Sequence, residues 1–125
     1  MTAKRTRLTR TSDFQRVYRQ GSSTASRFLV LHYFAQPAGG GGEPRLGLAV
    51  SKKLGGAVVR NRVKRLLREA FRECAERLPE DYDYVLIARP HLTELLDGPD
   101  KGAVAAAVRD VFDRAGLLQE GSPAA

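Results

Sequence analysis

The strongest pattern of hydrophobic positions in this 125-residue chain lies between residues 57 and 78. Apolar side chains recur there at spacings of three, four and seven residues, which are the spacings along one face of an α-helix. They are Val59, Val63, Leu66, Leu67, Ala70, Phe71, Cys74 and Leu78. The pattern predicts an amphipathic helix with one buried stripe. Cys74 lies on that stripe, so we expect a small core residue rather than a nucleophile or a metal ligand.

Three shorter patterns precede this helix. Ser12 and Gln15 have the spacing of a capping box, which predicts a first helix over residues 12–20 that ends at Gly21. Residues 27–34 are rich in β-branched and aromatic side chains and predict a strand whose two faces differ in chemistry. Residues 45–51 predict a second strand after a loop with four consecutive glycines. We expect these two strands to form an antiparallel hairpin.

Two further elements follow the long helix. Residues 84–88 form a nearly continuous apolar run, which predicts a buried, central or well covered strand. A last helix is then indicated by apolar residues at helical spacing that end at Gly116: Val104, Val108, Val111, Phe112 and Ala115.

The order of these elements, α-β-β-α-β-α without repeats, predicts a single-domain α+β sandwich with its helices packed on one mixed sheet. We expect one domain over residues 1–118, in which residues 1–10 form a mobile basic arm, and a disordered tail over residues 119–125. The chain has neither 18 consecutive apolar residues nor the apolar segment of a secretory signal. We therefore expect a cytoplasmic protein without a membrane partner.

Charge is divided along the chain. Residues 1–72 carry 16 Lys and Arg against 3 Asp and Glu, whereas residues 73–125 carry 5 against 11. From Lys52 to Arg68 there are seven basic residues and no acidic one. A helix N-terminus disfavours each nearby cation by about 0.3–1 kcal/mol, so helix stability does not explain this cluster. A polyanion against the helix would compensate the repulsion, which favours a nucleic acid as partner.

Candidate chemistry is of two binding kinds. Arginine and lysine side chains can contact phosphate oxygens, and the sequence gathers Lys52, Lys53, Arg60, Arg62, Lys64, Arg65 and Arg68 before and along the helix. Aromatic side chains can stack on unpaired bases, and Phe14 and Tyr18 with Phe28 and His32 are predicted to form such a trough. No Ser, His and Asp set, metal-ligand spacing or phosphate-loop motif is present, so we expect no catalytic residue and no metal ligand.

The segment from Ala57 to Arg68, with Arg60-Asn61-Arg62 at its centre, resembles the Arg-Asn-Arg helix of the bacterial ribonuclease P protein subunit. Val50 to Gly55 is similar to the strand end and turn before that helix. The resemblance extends over about residues 5–118, because Asp13 to Tyr18 looks like the family's first helix and Asp83 to Arg89 like its last strand. Two positions depart from the family pattern: Gly56 stands where Asn is common, and His32 where Tyr is common.

The resemblance implies a protein that joins a large catalytic RNA and assists removal of the 5′ leader from precursor tRNA. Catalysis would belong to the RNA, which would also hold most of the Mg²⁺, and no obligate protein partner is implied. The family fold further implies a left-handed β-α-β crossover around the basic helix. Carried onto this sequence and combined with the lysines before the helix, it implies catalytic-RNA contacts at Lys52, Lys53, Arg60, Asn61, Arg62, Lys64, Arg65 and Arg68. The single-stranded leader would lie in a cleft lined by Phe14, Tyr18, Val30 and His32.

Two other functions remain open from the residues alone. A ribosome-associated or other structured-RNA-binding protein would share the basic helix and the aromatic trough, and only the Arg-Asn-Arg resemblance separates it from a ribonuclease P subunit. An independent nuclease would need an acidic or histidine cluster, and the sequence suggests none.

Overall fold

The computed structural model describes residues 11–36, 44–79 and 82–118. The helices are α1 (Thr11–Gln20), α2 (Ala57–Cys74), α3 (Thr93–Leu96) and α4 (Ala103–Arg114), and the strands are β1 (Ser22–Ala25), β2 (Leu29–Ala35), β3 (Arg45–Ala49) and β4 (Tyr82–Ala88). Single 3₁₀ turns occur at Lys52–Leu54, Ala75–Arg77 and Pro90–Leu92. The arm predicted over 1–10, the tail over 119–125 and the glycines of the loop lie outside the described residues.

The four strands form one mixed sheet in the order β1-β2-β4-β3. Strand β4 is antiparallel to β2 and parallel to β3. The predicted hairpin between the second and third of these strands is therefore wrong, because β4 lies between them. Tyr84, Val85 and Leu86 are fully buried, because β4 has a strand on each side and helices pack on both faces of the sheet. The prediction that residues 84–88 form a buried, central strand is confirmed.

The hairpin in this sheet joins β1 to β2 instead, and the sequence analysis missed β1. Its residues, Ser22–Ala25, are polar or small and mostly exposed, so they show no alternation of apolar and polar positions. The turn is closed at Ser26, whose backbone N–H donates to the Leu29 carbonyl at 2.8 Å. The Ser26 hydroxyl accepts hydrogen bonds from the backbone N–H groups of Phe28 and Leu29 at 3.3 and 3.2 Å. Pairing with β2, rather than its own composition, makes this segment a strand.

Helices cover the two faces of the sheet unequally. On one face α2 and α4 enclose the larger core, to which β2 contributes Leu29 and Leu31 and β4 contributes Tyr84 and Leu86. The buried stripe of α2 contains Val63, Leu67, Ala70, Phe71 and Cys74, as its spacing predicted. On the other face α1 places Val17 against Val85 in a smaller cluster. The α1 face of the sheet therefore remains available beside a single helix.

Helix α1 occupies nearly the predicted range, and Gly21 ends it for a reason that the sequence does not show. A Cβ atom at Gly21 would overlap the Tyr33 carbonyl oxygen and would lie 2.6 Å from the Val17 carbonyl oxygen. The backbone N–H of Gly21 donates to that Val17 oxygen at 3.0 Å. Only glycine allows this close approach, which turns the chain directly from α1 into β1.

Helix α2 connects the parallel neighbours β3 and β4, so the β-α-β crossover implied by the resemblance is present. Its handedness stays a prediction. Helix α4 ends at Arg114, and the predicted stop, Gly116, follows the C-cap Ala115 with a φ of +75° that favours glycine. None of the helices within the described ranges is long and apolar enough to cross a membrane.

Candidate nucleic-acid interface

The first part of the candidate site is the basic face, which we define as Lys52, Lys53, Arg60, Asn61, Arg62, Lys64, Arg65 and Arg68. Lys52 and Lys53 are exposed on the 3₁₀ turn after β3, and the Ser51 hydroxyl accepts a hydrogen bond from the Lys53 backbone N–H at 3.2 Å. The other six residues lie along α2, of which Asn61, Arg62 and Arg65 are exposed and Arg60, Lys64 and Arg68 are half-buried.

Two arginines of the basic face are oriented by backbone carbonyl groups. Arg60 donates from Nε to the Gly55 carbonyl oxygen at 3.2 Å, which ties the first turn of α2 to the 3₁₀ turn before it. Arg62 donates from Nη2 to the Leu96 carbonyl oxygen at 3.3 Å, which ties α2 to α3. Each guanidinium keeps further N–H donors for a ligand. The fold thus restrains these two side chains before any partner binds.

The turn ahead of α2 depends on a glycine. Gly55 has a φ of +143°, and a Cβ atom there would lie 3.0 Å from the Cβ of Val59. Gly56 is the N-cap residue of α2, and no side-chain hydrogen bond caps the helix. The first turn of α2 also contains no acidic residue. Positive charge near this N-terminus therefore has no local compensation from capping or first-turn acidic side chains.

The second part of the candidate site is the aromatic trough, which we define as Phe14, Tyr18, Val30 and His32. Helix α1 supplies the first two residues and β2 the last two. The Tyr18 ring lies edge-on to the His32 ring with a centroid distance of 5.0 Å, and the Phe14 and Tyr18 centroids are 6.3 Å apart. Tyr18 is 41% exposed, while the other three residues are half-buried. The fold thus brings the three rings together along one side of α1.

Strand register places further residues on the floor of this trough. Val30 is paired with Ile87 of β4, and Ile87 is paired with Ala49 of β3, so the three side chains share the α1 face of the sheet. Ala49 precedes Lys52 by three residues, a path of about 10 Å at the rise of an extended chain. Strand β3 thus leads from the floor of the aromatic trough to the 3₁₀ turn that carries Lys52 and Lys53. Sequence reasoning missed Ile87 and Ala49, because they align with Val30 only through the pairing of strands that are far apart in the sequence.

Phe28 does not belong to the aromatic trough, contrary to the prediction. It lies in the turn before β2 and packs against the larger core on the opposite face of the sheet. Exposed arginines occur instead at this end of the sheet. The Arg27 guanidinium lies 6.0 Å from the Phe28 ring centroid, and Arg89 donates from Nη1 to the Ser26 carbonyl oxygen at 3.0 Å. The sequence did not single out Arg27 or Arg89, because only the pairing of β2 with β4 brings them to the same end of the sheet.

Burial changes the titration of both polar aromatic residues in the trough. It raises the pKa of Tyr18, so the phenol stays protonated and can donate a hydrogen bond. It lowers the pKa of His32, because a partly buried imidazole resists taking a charge. Neutral imidazole therefore predominates at pH 7, which favours stacking over pairing with phosphate. An imidazolium–phosphate contact at His32 requires a pH below about 6.5, the ordinary pKa of histidine.

The described segments do not gather three or more His, Cys, Asp or Glu side chains into a group able to hold a metal ion. Cys74 is buried in the larger core, which raises the pKa of its thiol. The carboxylate of Asp83 is fully buried, and Arg45 and Gln36 donate hydrogen bonds to it. Cations on the basic face and rings in the aromatic trough are groups that can contact phosphates and unpaired bases.

Comparisons with known proteins identify relatives of this chain. A family model described as Ribonuclease P matches residues 2–116. The ribonuclease P protein component of Symbiobacterium thermophilum is 47% identical over 106 residues, which cover 85% of this chain and 87% of that protein. The one from Bacillus pumilus is 47% identical over 92 residues, 74% of this chain and 76% of that protein.

Solved structures show the same fold. The RNase P protein of Staphylococcus aureus, at 31% identity, superposes with a TM-score of 0.79 over 91% of this chain and 98% of that one. The RNase P protein of Thermotoga maritima, at 30% identity, gives a TM-score of 0.76 over 92% of this chain and 98% of that one.

Proposed function

The chain belongs to the ribonuclease P protein family, and we propose that it binds the catalytic RNA of ribonuclease P through the basic face. We further propose that the aromatic trough binds the 5′ leader of precursor tRNA. In this role the protein assists RNA-catalysed, endonucleolytic removal of the leader, which leaves the mature 5′ end of the tRNA. The proposal retains the cytoplasmic location expected from the sequence.

The observation that carries the proposal is the presence of two chemically different surfaces on one small fold. The basic face offers Arg and Lys donors for phosphate groups, which suit a large folded RNA. The aromatic trough offers three neighbouring rings, with Tyr18 exposed, and aromatic rings are the groups on which single-strand-binding proteins stack unpaired bases. The aromatic trough lies between α1 and β2, whereas most of the basic face lies along α2, so the leader and the catalytic RNA would contact different elements of the fold.

We place the catalytic centre in the RNA rather than in this chain. The described residues offer no grouped carboxylates or histidines to hold a metal ion, and the acidic residues of α4 are exposed. Mg²⁺ would therefore be held mainly by RNA phosphates. The chain's own contribution is to neutralise phosphate charge near the RNA and to hold the leader.

Reconstitution with the catalytic RNA of the same organism tests this proposal. We expect the RNA-free protein to cleave no precursor tRNA. Added to the catalytic RNA, it should lower the Mg²⁺ concentration at which the leader is removed, because its cations replace part of the screening by metal ions. Cleavage of precursor tRNA by rigorously RNA-free protein would contradict the proposal. Recovery of ribosomal RNA alone when the protein is isolated from lysate would favour the rival structured-RNA-binding function.

Arg65 provides the cleanest test of the basic face, because it is exposed in the middle of α2. We expect Arg65→Ala to weaken binding to the catalytic RNA and to reduce the slope of log affinity against log salt by about one unit. Thermal stability should stay unchanged or rise slightly. Salt titration of RNA binding measures both effects.

Arg114→Ala is the matched control for charge. Arg114 is exposed on α4 and forms an ion pair with Asp110 at 2.7 Å, so its removal changes the net charge equally outside the basic face. We expect it to leave the salt slope close to that of the parent protein. A marked fall in melting temperature for Arg65→Ala with unchanged RNA affinity would show that Arg65 has a structural role instead.

A further inference from the structure

Val58 stands out on the surface of the described residues. It is 84% exposed, and the other exposed large hydrophobic residue among them is Tyr18 at 41%. Tyr18 belongs to the aromatic trough, and Val58 lies at the start of α2, among residues of the basic face. Single exposed apolar residues are common on proteins and need no explanation by themselves. Here both of them fall on the two surfaces proposed to bind RNA.

The helix itself gives no reason for valine at position 58. A β-branched residue is a weaker helix former than alanine because its side-chain rotamers are restricted. The first turn of α2 has no acidic residue and no capping side chain, and either would stabilise it more than an apolar one. At 84% exposure, Val58 also contributes almost no buried area to the core. Its side chain therefore does little for the folded chain alone.

The neighbours of Val58 indicate what could cover it. Asn61 and Arg62 follow it by three and four residues, and Arg65 follows by seven, so all three lie on the same side of the helix. Arg62 donates to the Leu96 carbonyl oxygen, and Val58 stays 84% exposed. A partner that pairs with these cations must be anionic, and it must also present an apolar surface between its charges. RNA does both, since ribose rings and base edges lie between its phosphates.

We propose that Val58 is a direct contact of the ribonuclease P RNA, packing against ribose or base surface while Arg62 and Arg65 take the flanking phosphates. This inference rests on the proposed function. Covered in this way, the valine excludes water from the centre of the contact, where neighbouring charge-assisted hydrogen bonds gain strength. Val58 would thus determine how closely α2 approaches the RNA, a property that charge alone does not set.

Replacement of Val58 by lysine separates this proposal from a purely electrostatic interface. If α2 binds only by charge, Val58→Lys adds a cation and should tighten binding with a salt slope steeper by about one unit. We expect the opposite: weaker binding, because a hydrated ammonium replaces the apolar contact. Ala106→Lys on α4 is the control, since Ala106 is exposed and lies outside the basic face. It measures what one added charge does without any change at α2.

Val58→Ala measures the size of the contact. We expect about fivefold to tenfold weaker binding to the catalytic RNA, from the loss of two methyl groups in a covered site, with an unchanged salt slope. Melting temperature should not fall, because alanine favours the helix. Hydroxyl-radical footprinting of the RNA should lose protection at a few riboses while the remaining protections persist.

The outcomes distinguish this inference from the proposed function. Undiminished binding by Val58→Ala, or tighter and more salt-dependent binding by Val58→Lys, would overturn the contact at Val58 and leave the proposed function intact. A parent protein that binds the catalytic RNA no better than ribosomal RNA of similar length would overturn both. Weaker binding by both variants, with normal melting and no loss for Ala106→Lys, would support the inference.

Discussion

Replacement of Asp83 by asparagine is expected to lower the free energy of unfolding by about 3 kcal/mol, the largest stability effect that the structure predicts for a single polar residue. Asp83 lies on β4 and is fully buried. Arg45 of β3 donates to its two carboxylate oxygens from Nε and Nη2, both at 2.8 Å, and Gln36 donates to Oδ1 at 3.0 Å. All three contacts need an acceptor. An asparagine keeps an acceptor at only one of the two oxygen positions, so its NH2 group would face a donor, and the buried Arg45 contact would lose its negative partner.

The effect should be visible as a fall in melting temperature of roughly 10 °C or more. Chemical unfolding followed by circular dichroism gives the free energy directly. Asp110→Asn is the matched control, because Asp110 pairs with Arg114 on the exposed side of α4 and both side chains are at least half exposed. We expect that change to stay within about 0.5 kcal/mol. Equal losses in the two variants would show that burial of the Asp83 carboxylate does not matter.

The Asp83 network also explains why two neighbouring strands in the chain are not neighbours in the sheet. Asp83 is paired in register with Phe34 of β2 and with Arg45 of β3. Strand β4 therefore pairs with both strands at the position of Asp83. Periodicity identifies each strand from its own residues, but it carries no information about which strand lies between two others. The predicted hairpin was the simplest connection, and the buried run of β4 excludes it.

The sequence was sufficient to predict elements whose buried residues repeat at a regular spacing. The α2 stripe was predicted because Val63, Leu67 and Phe71 repeat at helical spacing, and the structure buries all three. Strand β1 was missed because Ser22–Ala25 has no apolar alternation and becomes a strand only by pairing with β2. Physical reasoning from the sequence therefore recovers elements with a buried face and misses elements defined by their partners.

The two parts of the candidate site also differ in how well the sequence predicts them. The basic face could be identified from spacing on one helix, whereas the aromatic trough requires α1 and β2 to meet. Aromatic character predicts His32 and Phe28 beside Phe14 and Tyr18, but Phe28 packs against the larger core, and Val30 is assigned only through the family resemblance. Ile87 and Ala49 share the trough floor only because the sheet register aligns them. Roles in binding RNA remain predictions for all of these residues.

Replacement of Tyr18 by alanine is the sharpest test of the trough. Stacking of one base on an aromatic ring is worth roughly 1–3 kcal/mol by alanine substitution, so Tyr18→Ala should weaken binding of leader-bearing precursor tRNA to the assembled enzyme by about tenfold. Affinity for mature tRNA, which lacks the leader, should barely change. Tyr18 is 41% exposed, so its loss should leave the fold intact. Equilibrium binding of both tRNAs to the same preparation measures the difference.

Two further variants complete the test of the trough. Tyr18→Phe keeps the ring and should retain most of the affinity, which separates stacking from a hydrogen bond by the phenol. His32→Ala should cost less than Tyr18→Ala, because imidazole offers a smaller stacking surface and His32 is half-buried behind the Tyr18 ring, 5.0 Å away. An equal loss of affinity for precursor and mature tRNA would mean that Tyr18 serves assembly or folding. The leader would then have to lie elsewhere on the protein.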